Sequence, residues 1–219
     1  ASDLVKQIVD LNNGKYLELS HHMCHAANAF FSSNFNEALI LTIDGGGMED
    51  KETLTACTIY EGKGSKIKKI KVYDFFSLNI AGGWNFVSQL FGLSVGFPKG
   101  NQAGTVMAMA SMSNCSKYVE PLMDLMTKRK PMTMSFNNYR SLANNIFAKI
   151  EFSEQDKFDI SSSLQTATEN IIKEELPFFI NKFKPKKLCI AGGCALNSVL
   201  IGKIQDWFPK ITDVYVPPI

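Results

Sequence analysis

The chain has 219 residues, 45% of them hydrophobic and 20% charged, ordinary values for a soluble globular protein of one large domain or two small ones. The net charge of +2 is too small to argue by itself for nucleic-acid binding. No apolar run is long enough to span a bilayer, and Ala1-Ser2-Asp3-Leu4 lacks the basic and apolar regions of a signal peptide. The five cysteines, Cys24, Cys57, Cys115, Cys189 and Cys194, are odd in number and lack the spacing of a disulfide framework. They suggest reduced thiols and a cytoplasmic location.

In chain order, Leu4, Ile8 and Leu11 share one side of a helix that Asn12-Asn13-Gly14 stops. Residues 16–19 read as a short strand. Ser20 is placed to cap a helix from His21 to about Phe31, whose alanines favour that state. Ala38–Ile43 reads as a buried strand ending in an Asp44-Gly45-Gly46-Gly47 turn. Leu54–Tyr60 alternates as a second strand, and Glu61-Gly62-Lys63-Gly64 turns the chain into a third over Ile67–Phe75. A helix over Asn85–Phe91 follows Gly82-Gly83, residues 95–104 form a loop, and Thr105–Met112 is a short helix. Residues 113–153 are expected to be a helical insertion over the core, with Pro121 and Pro131 as boundaries. From Asp159 a long helix carries Ile160, Leu164, Ala167 and Ile171 on one face, with a bend expected at Pro177. Lys187–Ala191 is a buried strand, Gly192-Gly193 turns it into a helix from about Ala195 to Ile204, and Val214–Val216 is a last strand. A meander followed by strand–helix–strand crossovers indicates an α/β fold with a mixed sheet. The lysine clusters at 63–71 and 182–187 read as solvated turns.

The residues that carry chemistry are few. All three histidines fall in His21-His22-Met23-Cys24-His25. His21 and His25 are four apart, share a helix face and can bind one metal ion. Two histidines are an incomplete ligand set, so a carboxylate is needed, and the strand that ends at Asp44 can supply it. The N/O chemistry suits iron, zinc or manganese. His22 points elsewhere on the helix and is a candidate to touch substrate or donate a proton, and His25 or His22 is a candidate catalytic base. The glycines after Asp44, Gly45 and Gly46 above all, allow close backbone approach to a ligand and can form an anion nest. Ile190-Ala191-Gly192-Gly193-Cys194-Ala195-Leu196-Asn197 joins a strand to a helix through a double glycine, a place where nucleotides bind, and Asn197 is a candidate to hydrogen-bond a ribose or a base. Glu49 and Asp50 read as exposed turn charges.

Taken together, His-His-Met-Cys-His-Ala-Ala-Asn-Ala-Phe (21–30), Leu-Thr-Ile-Asp-Gly-Gly-Gly (41–47), Gly104–Ala110, Asp159-Ile160-Ser161-Ser162-Ser163-Leu164-Gln165 and Gly192–Ser198 resemble, in order, the carbamoyltransferases of the nodulation and antibiotic-tailoring type. The resemblance covers about residues 14–219. It implies the actin/Hsp70/sugar-kinase ATPase superfold, ribonuclease H-like. It also implies transfer of a carbamoyl group from carbamoyl-adenylate, made from carbamoyl phosphate and ATP, to a hydroxyl of a sugar or natural product. By the family pattern His21, His25 and Asp44 are metal ligands, usually described as iron, and Gly192, Gly193 and Asn197 form the adenosine-binding turn. Where the family usually carries a lysine before Val-Met, this chain has Thr105.

Against that pattern residues 1–219 are expected to be an internal fragment of the transfer domain, without the adenylate-forming domain and inactive alone. A homodimer stays open. Two other readings remain: a tRNA threonylcarbamoyl-transfer-like protein, which shares the His-x-x-x-His helix and the double glycine, and a non-catalytic ATP-binding module.

Overall fold

The computed structural model describes residues 2–11, 14–15, 18–49, 52–93, 102–127, 144–148 and 151–218. Five described strands form one mixed sheet. In chain order they are β1 (Glu37–Met48), β2 (Leu54–Lys63), β3 (Lys66–Asp74), β4 (Lys187–Ala191) and β5 (Asp213–Tyr215). Their spatial order is β3-β2-β1-β4-β5. The first three are antiparallel neighbours, while β4 pairs parallel with both β1 and β5. The mixed α/β architecture expected from the sequence is therefore present.

Alternation along the central strands sends side chains to two different faces. Ala38, Ile40, Tyr60, Cys189 and Ala191 face α2 (His21–Ser32) and pack with its Ala26, Ala29 and Phe30. Leu39, Leu41, Ile43, Cys57, Ile59, Leu188 and Ile190 join the larger core on the opposite face. That core is closed by α3 (Ile80–Leu90), α4 (Ala103–Ala110), α5 (Val119–Thr127), α6 (Glu154–Phe183) and α7 (Ser198–Trp207). At the start of the chain lies α1 (Ser2–Leu11).

Helix ends follow their capping residues. Ser20 Oγ accepts the Met23 N–H at 3.2 Å and starts α2 at His21. Ser153 and Asp156 make a reciprocal capping box, so α6 begins at Glu154, five residues before Asp159, and it continues through Pro177 to Phe183. Asn79 Oδ1 accepts the Gly82 N–H at 2.7 Å. The third helix thus starts at Ile80 and includes the double glycine expected to precede it. A side chain on Gly83 would collide with Met126.

Two turns lie elsewhere than expected. Residues 44–47 do not reverse the chain. They continue β1, with a bulge between the pairs Ile43↔Cys57 and Gly47↔Thr55. The second reversal is Gly64-Ser65, closed by the pair Lys63↔Lys66, because β2 keeps its ladder through Gly62. Gly104 lies inside α4 rather than in the loop before it. After Gly193, a 3-10 turn (Gly193–Leu196) precedes α7, which starts at Ser198 rather than near Ala195. Glu18 and Leu19 form no strand; residues 16–17, 95–101 and Pro131 lie outside the described residues. Tyr118, Val119, Leu122, Met126 and Phe147 belong to the large core.

Candidate functional site

The cap at Ser20 fixes where α2 begins, and its first turn then presents His21 and His25 together. Their Nε2 atoms lie 2.8 and 2.9 Å from the same oxygen, Asp44 Oδ2, and 3.2 Å from each other. Asp44 reaches them from the bulge in β1. Its other oxygen, Oδ1, accepts the Gly45 N–H at 2.7 Å and the Gly193 N–H at 3.3 Å. Burial raises the pKa of this carboxyl, but hydrogen bonds from His25, His21 and Gly45 outweigh it and hold Asp44 well below the usual carboxylate range. Two imidazole nitrogens that face one carboxylate oxygen and each other make a donor set that one cation can bridge. Donors bound at about 2.0–2.2 Å to a four- or six-coordinate ion sit about 3 Å apart. The spacings here match that, and the three donor atoms lie within 4.8 Å of one another. The residues present fit a divalent ion with nitrogen and oxygen ligands.

Two glycines are needed for this arrangement. A Cβ on Gly47 would lie 2.2 Å from the His21 ring, and one on Gly192 would lie 2.3 Å from the Ile43 carbonyl oxygen. Gly192 also has φ +91, where side chains are disfavoured. The double glycine thus lets β4 end directly beside Asp44.

His22 is set apart from its neighbours, on the sheet side of the helix, with no exposed surface. Its Nε2 lies 3.1 Å from the Thr55 carbonyl, which can only accept, so Nε2 carries the hydrogen. Nδ1 lies 2.9 Å from Thr42 Oγ1, and burial lowers the pKa of the ring, which favours the neutral form. Both nitrogens are therefore engaged within the protein. Glu49, expected to be an exposed turn charge, is buried. It accepts from Ser20 Oγ at 2.7 Å and pairs with Lys69, because the residue just past β1 lies against the cap of α2 and strand β3. Asp50 lies outside the described residues.

On the other side of Asp44 opens a cleft of about 380 Å³, with Gly45, Trp84, Asn85, Gly104, Gly193 and Asn197 among its walls. Of the expected nucleotide-binding residues, the structure brings Gly45, Gly193 and Asn197 to this cleft. Gly46, at φ +139 beside the Phe75 ring, and Gly192 shape the backbone behind it. The Asn197 side chain already has partners. Its Oδ1 accepts the Leu200 N–H at 3.0 Å and its Nδ2 donates to Gln165 Oε1 at 2.8 Å. Trp84 and Asn85 were not singled out from the sequence. Trp84 Nε1 donates to Thr168 Oγ1, and Asn85 Oδ1 accepts from Gln89 one turn on. Only an exposed-looking Trp-Asn pair after a double glycine could have pointed to them. Burial and the nearby Asp44 charge push the Cys194 thiol up to about 12, which favours its protonated form.

Comparison with known proteins identifies the family. The family described as Carbamoyltransferase N-terminus matches residues 5–219. The nodulation protein NolO of Bradyrhizobium diazoefficiens is 26% identical over 230 residues, covering 91% of this chain and 35% of that protein. An uncharacterized protein of Synechocystis, sll1178, is 26% identical over 98% of this chain and 37% of its own length. A tRNA N6-adenosine threonylcarbamoyltransferase of Legionella pneumophila is 29% identical, over 42% of this chain and 28% of its own. The crystal structure of T. kodakarensis HypF superposes with a TM-score of 0.53 at 12% identity, covering 99% of this chain and 36% of that one, a likeness of fold consistent with the ATPase superfold. The chain thus spans roughly a third of these longer proteins. With its motifs in order and matched over nearly its whole length, the chain belongs to the carbamoyltransferase N-terminal family.

Proposed function

We propose that this chain is the carbamoyl-transfer part of an O-carbamoyltransferase that moves a carbamoyl group from carbamoyl-adenylate, made from carbamoyl phosphate and ATP, to a hydroxyl of a sugar or natural product. The observation that carries the reading is the position of Asp44, whose one oxygen meets His21 and His25 and whose other oxygen is held by backbone at the edge of the cleft. His21, His25 and Asp44 would hold a divalent ion, iron by family analogy and zinc or manganese by donor chemistry, and such an ion supplies charge stabilisation at carbonyl and phosphate oxygens.

The chain's own residues do the rest. Trp84, Met107 and Leu200 give the cleft an apolar lining suited to a nucleoside. Gly45 and Gly193 let a phosphate approach the backbone beside Asp44. In the transfer step the acceptor oxygen bonds to the carbonyl carbon, the bond from that carbon to the AMP phosphate oxygen breaks, and the hydroxyl proton passes to the released phosphate. His25 acts as a ligand in this reading, since its Nε2 is turned to Asp44, and His22 acts as an internal pin of α2. All five cysteines are free, in keeping with a reducing, cytoplasmic setting.

The relation to threonylcarbamoyl transfer covers under half of the chain, which favours the first reading. The test is transfer of labelled carbamoyl from carbamoyl phosphate to a panel of sugar alcohols by the full-length protein with ATP. Transfer should fall at least about a hundredfold in His21→Ala and His25→Ala. ATP binding without transfer to any alcohol would favour the non-catalytic reading, and undiminished transfer in both variants would refute the assigned roles.

A further inference from the structure

Behind the cleft runs a chain of buried polar groups that none of the proposed chemistry uses. Gln165 and Glu169, one turn apart on α6, and Asn197 are each less than a tenth exposed. Lys203, on α7, donates to Glu169 Oε1 at 2.7 Å. Gln165 Nε2 donates to the same oxygen at 2.9 Å. Gln165 Oε1 accepts from Asn197 Nδ2 at 2.8 Å, and Asn197 Oδ1 accepts the Leu200 N–H at 3.0 Å.

The direction of every bond in this chain is determined from its two ends. An amide side chain by itself can face either way. Here a carboxylate stands at one end and can only accept, which forces Gln165 to turn its nitrogen toward Glu169 and its oxygen toward Asn197. A backbone N–H stands at the other end and can only donate, which forces Asn197 to turn its oxygen toward Leu200 and its nitrogen toward Gln165. The two requirements agree, so neither amide can flip without placing two donors or two acceptors against each other in a buried setting.

Asn197 lies at the end of the 3-10 turn Gly193–Leu196. Gly193, at the start of that turn, donates to Asp44, and both Gly193 and Cys194 line the cleft. We propose that Gln165 and Glu169 are positioning residues, whose one-way hydrogen-bond chain orients Asn197 and so holds the Gly193–Leu196 turn against Asp44 and the nucleotide cleft. The inference rests on the nucleotide reading of the cleft only for its functional consequence; the ordering of the turn stands without it. It also gives the glutamine of the Asp159–Gln165 motif a role that its spacing does not reveal.

The test is a swap of polarity in the full-length protein. In Gln165→Glu the donor toward Glu169 is lost and two carboxylates face each other. Adding Glu169→Gln restores the match after one adjustment: in the wild type Lys203 and Gln165 share Glu169 Oε1, so the amide at 169 turns its nitrogen to the carboxylate at 165 and its oxygen to the half-exposed Lys203 side chain, which follows it. Two readouts are taken: amide hydrogen exchange across residues 193–200 without nucleotide, and ATP affinity by calorimetry. Gln165→Glu should speed exchange at Leu200 and in the turn at least about tenfold and weaken ATP binding by a similar factor, and the double variant should recover both. Recovery is the discriminating result, because a role in packing alone would not be rescued by a second substitution that preserves shape. Unchanged exchange in Gln165→Glu, or no recovery in the double variant, overturns the proposal. If Gln165→Glu does not fold, a double variant that folds with wild-type exchange supports it, and one that also fails to fold overturns it. If exchange behaves as stated while the wild-type protein binds no ATP, the nucleotide reading fails and the positioning role stands.

Discussion

The two faces of the sheet are held in different ways. The face toward α2 carries a small apolar cluster, Ala38, Ile40, Tyr60 and Ala191 on the strands against Ala26, Ala29 and Phe30 on the helix, and beside it His22 bridges to Thr42 and Thr55. The opposite face carries Leu39, Leu41, Ile43 and Ile59 under several helices and contains most of the buried apolar side chains. One helix on a thin apolar layer is located by directional hydrogen bonds, and those bonds fix which histidines turn outward. The thick face supplies bulk stability and can leave a cleft open within it. The proposed chemistry sits where the two meet, at the bulge in β1 and the C-terminal end of the parallel strand β4, where ligand sites of open α/β sheets are expected.

The sharpest test of this contrast is a cavity in the thick face. Leu164 has no exposed surface, and Leu164→Ala should lower unfolding stability by about 2–5 kcal/mol, read from the urea midpoint, with the His21–His25–Asp44 donor set still able to bind metal where the protein is folded. A smaller loss of stability, about 1–3 kcal/mol, is expected for His22→Ala, which leaves the Thr42 hydroxyl and the Thr55 carbonyl without their histidine partner. The contrast predicts that this variant, unlike Leu164→Ala, weakens metal binding by more than its effect on folding. Equal metal affinity in the two variants would break the comparison.

The smallest effect belongs to the sheet edge. Lys187 and Thr212 hydrogen-bond to Asp213 and hold its carboxyl below the ordinary value of 3.8. A carboxyl whose folded pKa is depressed adds stability above its unfolded pKa and loses it as the pH falls through the folded value. The melting temperatures of the wild type and Asp213→Asn should therefore differ slightly at pH 6 and converge in strong acid. The pair is exposed, so added salt should shrink the difference.

What could be read in advance follows the same physics. The spacing of His21 and His25 and the apolar run before Asp44 are local patterns, and the structure brings these three side chains together. The strand–helix alternation around Gly192 and Gly193 was equally legible. His22 was legible as lying off the metal-binding face, but not as a buried pin, because its neighbour in sequence is the same residue type. Only the rotation of about 100° per residue separates an outward ligand from an inward pin, and the Ser20 cap decides which is which. Asp44-Gly45-Gly46-Gly47 fits a turn or a bulge equally well in isolation; pairing with β2 beyond it selects the bulge. Trp84 reaches Thr168, Gln165 reaches Asn197 and Glu169 reaches Lys203 through contacts distant in sequence, which no single-segment pattern contains.

The central claim is that His21, His25 and Asp44 form one metal site. Its most direct test is the metal content of the purified 219-residue chain after equilibration with iron(II), zinc or manganese, beside His21→Ala, His25→Ala and His22→Ala. The account predicts near-equimolar binding of one of these ions, lost in His21→Ala and His25→Ala and only weakened in His22→Ala. Binding that survives in both His21→Ala and His25→Ala, or no binding by the folded wild-type chain, would contradict it.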